Sequence, residues 1–146
     1  MSGAEHAVPW HEPVRGDYPD PELFALPGIE QVRAFVDGRA PAPPIGELLG
    51  MSVTDVALDG ATFSMPASRR LLSPQGLVSV GTLAILADGP LGCAVQTVVP
   101  AATAYATSEL SLRLLRPVRA GARWSLGESS STTVVRLPSL RARTSQ

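Results

Sequence analysis

One carboxylate lies in the middle of the most apolar stretch of the chain, which makes it a candidate for chemistry. Asp88 is the only charged residue between Leu77 and Val99. A carboxylate in apolar surroundings destabilises the folded state unless it has a partner or a task. Asp88 is therefore a candidate general base or nucleophile. The alternative is a structural aspartate, bonded to a neighbouring hydroxyl such as Thr82 or Thr97 or left at a solvated rim.

A second segment carries polar residues at a regular spacing. From Thr107 to Pro117 the sequence reads TSELSLRLLRP, in which three leucines alternate with polar residues. Alternation with a period of two predicts a β-strand with one apolar and one polar face. We therefore predict a strand over residues 105–116, with Thr107 and Glu109 on its polar face.

The turn before the apolar stretch completes a pattern that resembles a known family. The sequence reads SPQGLVSVG from Ser73 to Gly81, and Leu-Ala-Asp follows at 86–88. Together with the Thr-x-Glu-Leu-Ser segment, this pattern resembles the hotdog-fold acyl-CoA thioesterases of the PaaI-like superfamily, which includes phenylacetic acid degradation proteins and 4-hydroxybenzoyl-CoA thioesterases. The resemblance covers roughly residues 43–124. It implies an α+β hotdog fold, in which an antiparallel sheet wraps around one long central helix.

The resemblance also implies a role for each residue of these segments. It makes Asp88 the general base or nucleophile, and the backbone N–H of Val80, next to Gly81, the donor to the thioester carbonyl. The family holds the thioester between the carboxylate of one subunit and the helix start of its neighbour, which implies a homodimer or a tetramer of dimers. The residues implied to bind substrate are Ser73, Gln75, Ser79, Thr107, Ser108 and Glu109.

Three positions depart from the family pattern, which has Asn, His and Gly where this chain has Ser73, Ser79 and Val80. The side chain of Val80 is expected to narrow the site, although a backbone N–H remains available whatever the side chain. Ser79 also suits a helix N-cap, which is the alternative to a binding role. Three functions stay open: an acyl-CoA thioesterase that releases a carboxylic acid and CoA, a hotdog protein that binds acyl thioesters without hydrolysis, and an inactive truncated homologue.

Composition narrows the classes of function further. A formal net charge of -1 gives no electrostatic basis for nucleic-acid binding. Every basic residue is an arginine, and those best placed for an anionic ligand are Arg69, Arg70, Arg113, Arg116 and Arg119. Cys93 is the only cysteine, which excludes an internal disulfide, and His6 and His11 both lie near the N-terminus. No cluster has metal-ligand spacing, so we expect neither a metal nor a cofactor.

The apolar stretch from Leu77 to Val99 has almost the length of a membrane-spanning helix. However, Asp88, Gly89 and Pro90 occupy its centre. A central aspartate costs about 2.5–3.5 kcal/mol on insertion. We therefore predict a buried helix, kinked just after Asp88, in a protein with no membrane partner. The first ten residues do not resemble a signal peptide, so a cytoplasmic location is expected.

Local patterns predict the remaining organisation. Residues 1–27, rich in proline and charge, are expected to form an extended or disordered arm, and residues 28–127 the hotdog domain. Within the domain we predict helices over 30–36 and 45–49, strands over 51–58 and 61–65 joined by a turn at Asp59–Gly60, and a strand from Arg123 to Leu126. Residues 128–146 are expected to be an atypical tail that does not complete the sheet. A truncated or frameshifted end and a short edge strand both stay open.

Overall fold

The computed structural model of the protein describes residues 13–66, 68–120, 123–129 and 132–134. Some of the predicted features lie outside these ranges: the first half of the N-terminal arm with both histidines, and the tail after Val134.

The described part of the chain contains three α-helices and four β-strands. The helices are α1 (Gly28–Val36), α2 (Pro44–Leu49) and α3 (Val80–Val98), and the strands are β1 (Ser52–Ala57), β2 (Gly60–Pro66), β3 (Arg123–Ser129) and β4 (Thr132–Val134). The strands form one antiparallel sheet in the order β1-β2-β3-β4. One antiparallel sheet with a long helix packed against it confirms the predicted α+β class.

Helix α3 packs against β2, and this contact forms the core. Phe63 and Met65 of β2 belong to one buried cluster with Leu86 of the helix. Each such side chain stabilises the fold by about 1.5–3 kcal/mol through removal from water. Gly89 permits a close approach, since a Cβ at this position would lie 3.0 Å from Cε1 of Phe63. The helix continues through Pro90, and the kink after Asp88 stays a prediction.

Within the described ranges, no helix combines the length and the hydropathy needed to cross a membrane. The long apolar helix is buried on one side only, since Ile85, Asp88 and Val95 are exposed.

The turn between β1 and β2 lies one residue earlier than predicted. Ala57 pairs with Gly60, so the two turn residues are Leu58 and Asp59 rather than Asp59 and Gly60. Asp59 adopts a left-handed φ of 64°. Aspartate tolerates this conformation better than most residues because its short polar side chain bonds locally. The Asp-Gly pair therefore marks the turn correctly but not its register.

The segment after helix α3 is not the strand that its alternation predicts. Residues 103–114 have no regular secondary structure. A strand requires a neighbour to pair its backbone N–H and C=O groups, and the described sheet places none beside this segment. The alternation survives in the burial instead: Leu110 and Leu112 are half-buried, whereas Glu109 and Ser111 are exposed.

Strand β3 is longer than predicted. It pairs with β2 from Arg123 to Ser129, three residues past the expected end at Leu126. Strand β4 then pairs with its last residues, with Gly127 opposite Val134. The predicted atypical tail therefore contains a short strand over Thr132–Val134. Since the chain after Val134 lies outside the described residues, the completeness of the sheet stays a prediction.

Two buried glutamines join α1, α3 and the start of the 103–114 segment. The Nε2 of Gln96 donates to Oε1 of Gln31 and to the carbonyl of Thr103, each at 3.1 Å. The Nε2 of Gln31 donates to the carbonyl of Leu26 at 2.8 Å. Buried amides need such partners, because an unpaired one costs about 1–3 kcal/mol. Thr103 is thereby attached to helix α3.

Candidate active site

Asp88 forms a hydrogen bond with the other segment singled out by sequence. The hydroxyl of Thr107 donates to Oδ1 of Asp88 at 2.8 Å. The hydroxyl partner is therefore neither Thr82 nor Thr97. The Oγ1 of Thr97 instead donates to the carbonyl of Ala94 and accepts from the N–H of Asp59. The structure thus brings together two of the predicted site residues, one from each motif.

Asp88 lies on an exposed stripe of helix α3, not in a fully buried helix. The stripe comprises Gly81, Ile85, Asp88, Gly92 and Val95. These positions recur every three or four residues, which places them on one helix face. All of them are at least partly exposed except Gly92, and the opposite face packs on the sheet. The expectation of a buried helix is wrong for this face, because one sheet covers only one side of a helix.

Gly92 is buried because Tyr105 lies against it. A Cβ added at Gly92 would overlap the hydroxyl oxygen and two ring carbons of Tyr105. Glycine therefore allows the tyrosine ring to rest on the helix backbone. Sequence reasoning missed both residues. The available signal was their spacing, since Gly92 follows Asp88 by one helical turn and Tyr105 precedes Thr107 by two residues.

The carboxylate of Asp88 influences two acidic groups beside it. Burial, and then the charge of Asp88, raise the pKa of the Cys93 thiol to about 11. Burial, followed by the charges of Cys93 and Asp88, raises the pKa of Tyr105 to about 12. Both causes favour the neutral acid. Near neutral pH the thiol is therefore a poor nucleophile, and the Tyr105 hydroxyl keeps its proton.

We expect the protein to lose stability as the pH rises from about 9 to about 11. The thiol of Cys93 ionises at 9.0 in the unfolded chain and at about 11 in the folded one. The unfolded state therefore releases its proton first, so stability is complete below pH 9 and falls as the pH approaches 11. Urea midpoints at pH 7 and pH 10 should differ more in the wild type than in Cys93→Ala. An equal alkaline loss in both proteins would contradict this origin.

The start of helix α3 carries the predicted backbone donor. Ser79 is the N-cap residue with extended backbone angles, φ -63° and ψ 138°, and its side chain makes no capping hydrogen bond. The first N–H groups of a helix lack intrahelical acceptors and carry a partial positive charge. Val80 is 51% exposed, and Gly81 is exposed beside it. An anionic oxygen could therefore approach the N–H of Val80.

The turn before this helix start contains two of the predicted binding residues. The N–H of Ser73 donates to the carbonyl of Leu77 at 2.6 Å, and the N–H of Gly76 donates to the carbonyl of Ser73 at 2.9 Å. Gly76 has a φ of 72°, which glycine adopts without steric cost. Ser73 is half-buried and Gln75 is exposed at the tip. Both therefore lie at the helix start rather than at the level of Asp88.

Within one chain the helix start and Asp88 are separate places. Asp88 follows Val80 by eight positions, a rise of about 12 Å at 1.5 Å per residue. The N–H of Val80 also points out of the N-terminus, and therefore away from Asp88. Within a single protomer the predicted donor and Asp88 are therefore apart and face different directions.

The remaining predicted residues lie beside Thr107. Ser108 and Glu109 follow it on the same segment and are exposed. In the part of the chain that the structure describes, no three histidine, cysteine or acidic side chains are arranged to hold a metal ion.

Solved structures with a similar fold carry the names of thioesterases or of phenylacetic acid degradation proteins. A phenylacetic acid degradation-related protein from Ralstonia eutropha JMP134 superposes with a TM-score of 0.59 at 24% identity, over 66% of this chain and 74% of that one. The PaaI protein of the Escherichia coli phenylacetic acid degradation operon gives 0.51 at 21%, over 57% and 58%. A mutant thioesterase from Pseudomonas aeruginosa gives 0.53 at 27%, over 68% of each chain. No protein-family model matches the sequence, and no curated protein matches it significantly.

The long helix packed on an antiparallel sheet is therefore the hotdog fold of the thioesterases. Within that class, the solved structures similar to this chain include PaaI-like thioesterase-family proteins, which supports the predicted resemblance. The fold predicted from the residues between Ser73 and Asp88 is confirmed, and the similar structures support the predicted family.

Proposed function

We propose that the protein hydrolyses an acyl-CoA thioester to a carboxylic acid and CoA, in a site built from two protomers of a homodimer. The observation that carries this proposal is the 2.8 Å hydrogen bond from Thr107 to Asp88 on the open face of helix α3. A carboxylate held by one oxygen in an accessible position is suited to remove a proton from water.

Asp88 acts as the general base. Thr107 holds one carboxylate oxygen and fixes the plane of the group, which leaves the second oxygen for a water molecule. Asp88 takes a proton from this water while the water oxygen attacks the carbonyl carbon of the thioester. The carbon–sulfur bond of the tetrahedral intermediate then breaks, and Asp88 returns the proton to the departing CoA thiolate.

The second protomer supplies the oxyanion donor. Developing charge on the carbonyl oxygen requires a donor at about 2.7–3.1 Å, and the N–H of Val80 is suited to this task. The Asp88 of the same protomer lies about 12 Å along the helix from Val80, in the direction opposite to that in which the Val80 N–H points. A two-fold symmetric dimer brings the helix start of each protomer to the Asp88 of the other. It therefore forms two equivalent sites, each with one donor and one carboxylate. Such an interface would also cover Val80 and Ile85, whose side chains are exposed in the single chain.

Arginines at the helix start favour CoA as the thiol portion of the substrate. Arg69 and Arg70 lie in the helical turn just before the 73–77 turn, and the backbone of Arg119 is bridged to Leu77. All three side chains belong to exposed residues, and none forms an ion pair with another described residue. Exposed guanidinium groups beside the thioester donor suit the phosphates of CoA.

Binding without hydrolysis is the second candidate function, and Val80 is the observation that favours it. Its β-branched side chain is stiff and half-exposed beside the donor N–H. A carbonyl kept beyond hydrogen-bond distance would be bound but not polarised.

An assay with a panel of acyl-CoAs separates these functions. Purified protein is incubated with short, medium, long and aromatic acyl-CoAs, and CoA release is followed with a thiol-detecting reagent, while binding is measured by calorimetry. The neutral thiol of Cys93 keeps the protein itself from contributing signal quickly. We expect CoA release proportional to protein concentration for at least one acyl class. Micromolar binding without CoA release would establish the second function. The absence of both binding and release would exclude both functions.

A further inference from the structure

Helix α3 and the segment that follows it are matched in register. Three residues of the helix, Gln96, Gly92 and Asp88, recur every four positions and contact Thr103, Tyr105 and Thr107, which recur every two positions. Helix residues four apart share a face, and so do alternate residues of an extended chain.

The two spacings also agree in length. Four helix residues rise about 6 Å, and two residues of extended chain span about 6.6 Å. The segment therefore runs antiparallel to the helix, with one contact at each step. At residues 103, 105 and 107 the alternate positions therefore face a helix and not a neighbouring strand.

The middle contact lies between two hydrogen bonds that hold this part of the segment to the helix. Residues 103–114 have no strand partner among the described residues, so side-chain contacts hold this segment in place. At one end the carbonyl of Thr103 is bound by the buried Gln96, and at the other the hydroxyl of Thr107 meets the exposed Asp88. Only the contact of Tyr105 with Gly92 lies between them.

We propose that Tyr105 is a positioning residue, whose ring rests on the bare backbone of Gly92 and thereby holds the Thr107 hydroxyl on Asp88. The proposal rests on the proposed function for its catalytic consequence. The hydroxyl end of the ring carries the role, because the hydroxyl oxygen and two ring carbons of Tyr105 occupy the space that a Cβ at Gly92 would need.

The kinetic test compares substitutions along this register. Tyr105→Ala removes the ring, Gly92→Ala displaces it, and Thr107→Val removes the hydroxyl that it positions. Each should lower kcat about tenfold, the scale of one hydrogen bond to a charged group, with little change in KM. Tyr105→Phe keeps the ring carbons that lie on Gly92 but not the hydroxyl, so it should recover part of the kcat lost in Tyr105→Ala. Val95→Ala, one turn further along the exposed stripe, is the matched control and should leave kcat unchanged.

Non-additivity decides whether Tyr105 acts through Thr107. If it does, Tyr105→Ala combined with Thr107→Val should be no slower than Thr107→Val alone. Likewise, Gly92→Ala should add nothing to Tyr105→Ala, since no ring remains to be displaced. Losses that multiply in the double variants, or an unchanged kcat in Tyr105→Ala, would overturn the proposal.

A spectroscopic test is independent of activity. Tyr105 and Tyr18 are the only tyrosines, so Tyr18→Phe leaves a single tyrosine ring signal. In that background we expect nuclear Overhauser contacts between the Tyr105 ring and the Gly92 α-protons, and between the Thr107 methyl and the Asp88 β-protons. Tyr105→Ala should abolish the second contact. Its persistence would overturn the positioning role, whereas its loss in a protein that hydrolyses no acyl-CoA would contradict the proposed function alone.

Discussion

Asp88→Asn is expected to lower kcat for acyl-CoA hydrolysis by about 100-fold or more, the scale of lost acid–base catalysis. An amide cannot take a proton from water at neutral pH, yet it retains an oxygen that accepts the Thr107 hydroxyl. Because Asp88 is exposed and not part of the core, the substitution should leave the fold intact. Steady-state kinetics and the urea midpoint, measured on the same preparation, test both expectations.

Thr107→Val is the comparison for this variant. This variant keeps the base but removes the hydroxyl that holds it. Its kcat should therefore fall about tenfold, clearly less than the kcat of Asp88→Asn falls. If Asp88→Asn hydrolyses acyl-CoA as fast as the wild type, then Asp88 is not the base, and its hydrogen bond is structural.

Val80→Pro is expected to lower kcat by about 10²–10³-fold, the scale of one lost oxyanion donor. Proline has no N–H, so the substitution deletes the proposed donor itself. It should not disturb the helix, because proline is favoured at the first helical position. The preceding Ser79 has a ψ of 138°, in the region that a residue before proline adopts.

Val80→Ala is the matched control for the proline variant. It shortens the side chain but keeps the N–H, so the drop in kcat should appear in the proline variant and not in the alanine variant. An equal kcat in the two proteins would show that the N–H of Val80 does not contact the reacting carbonyl.

The sequence predicted the parts of the fold that depend on local signals. The long apolar run predicted helix α3 and Ser79 as its N-cap, and the pattern over residues 61–65 predicted strand β2. These features need only a helical or a two-residue period and one buried face. The family resemblance then supplied the fold, which no periodicity could have given.

Features that depend on neighbours were not predicted. The alternation over residues 105–116 was correct as a pattern, but a pattern does not say whether the partner is a strand or a helix. The contact of Tyr105 with Gly92 was missed for the same reason. Neither residue carries a sequence signal that identifies the other as its neighbour. Of the predicted site residues, the structure joins Asp88 with Thr107 and leaves Val80 at the other end of two helical turns.

Mixing two inactive variants tests the central claim most directly. Asp88→Asn and Val80→Pro proteins are unfolded together, refolded at equal concentration and assayed against the best acyl-CoA. If each site joins the carboxylate of one protomer to the N–H of the other, every hybrid dimer keeps one intact site. Random pairing makes half of the dimers hybrid, so about a quarter of the wild-type specific activity should return. If each protomer holds a complete site of its own, or is a monomer in sedimentation, mixing will restore no activity, and the two-protomer site is contradicted.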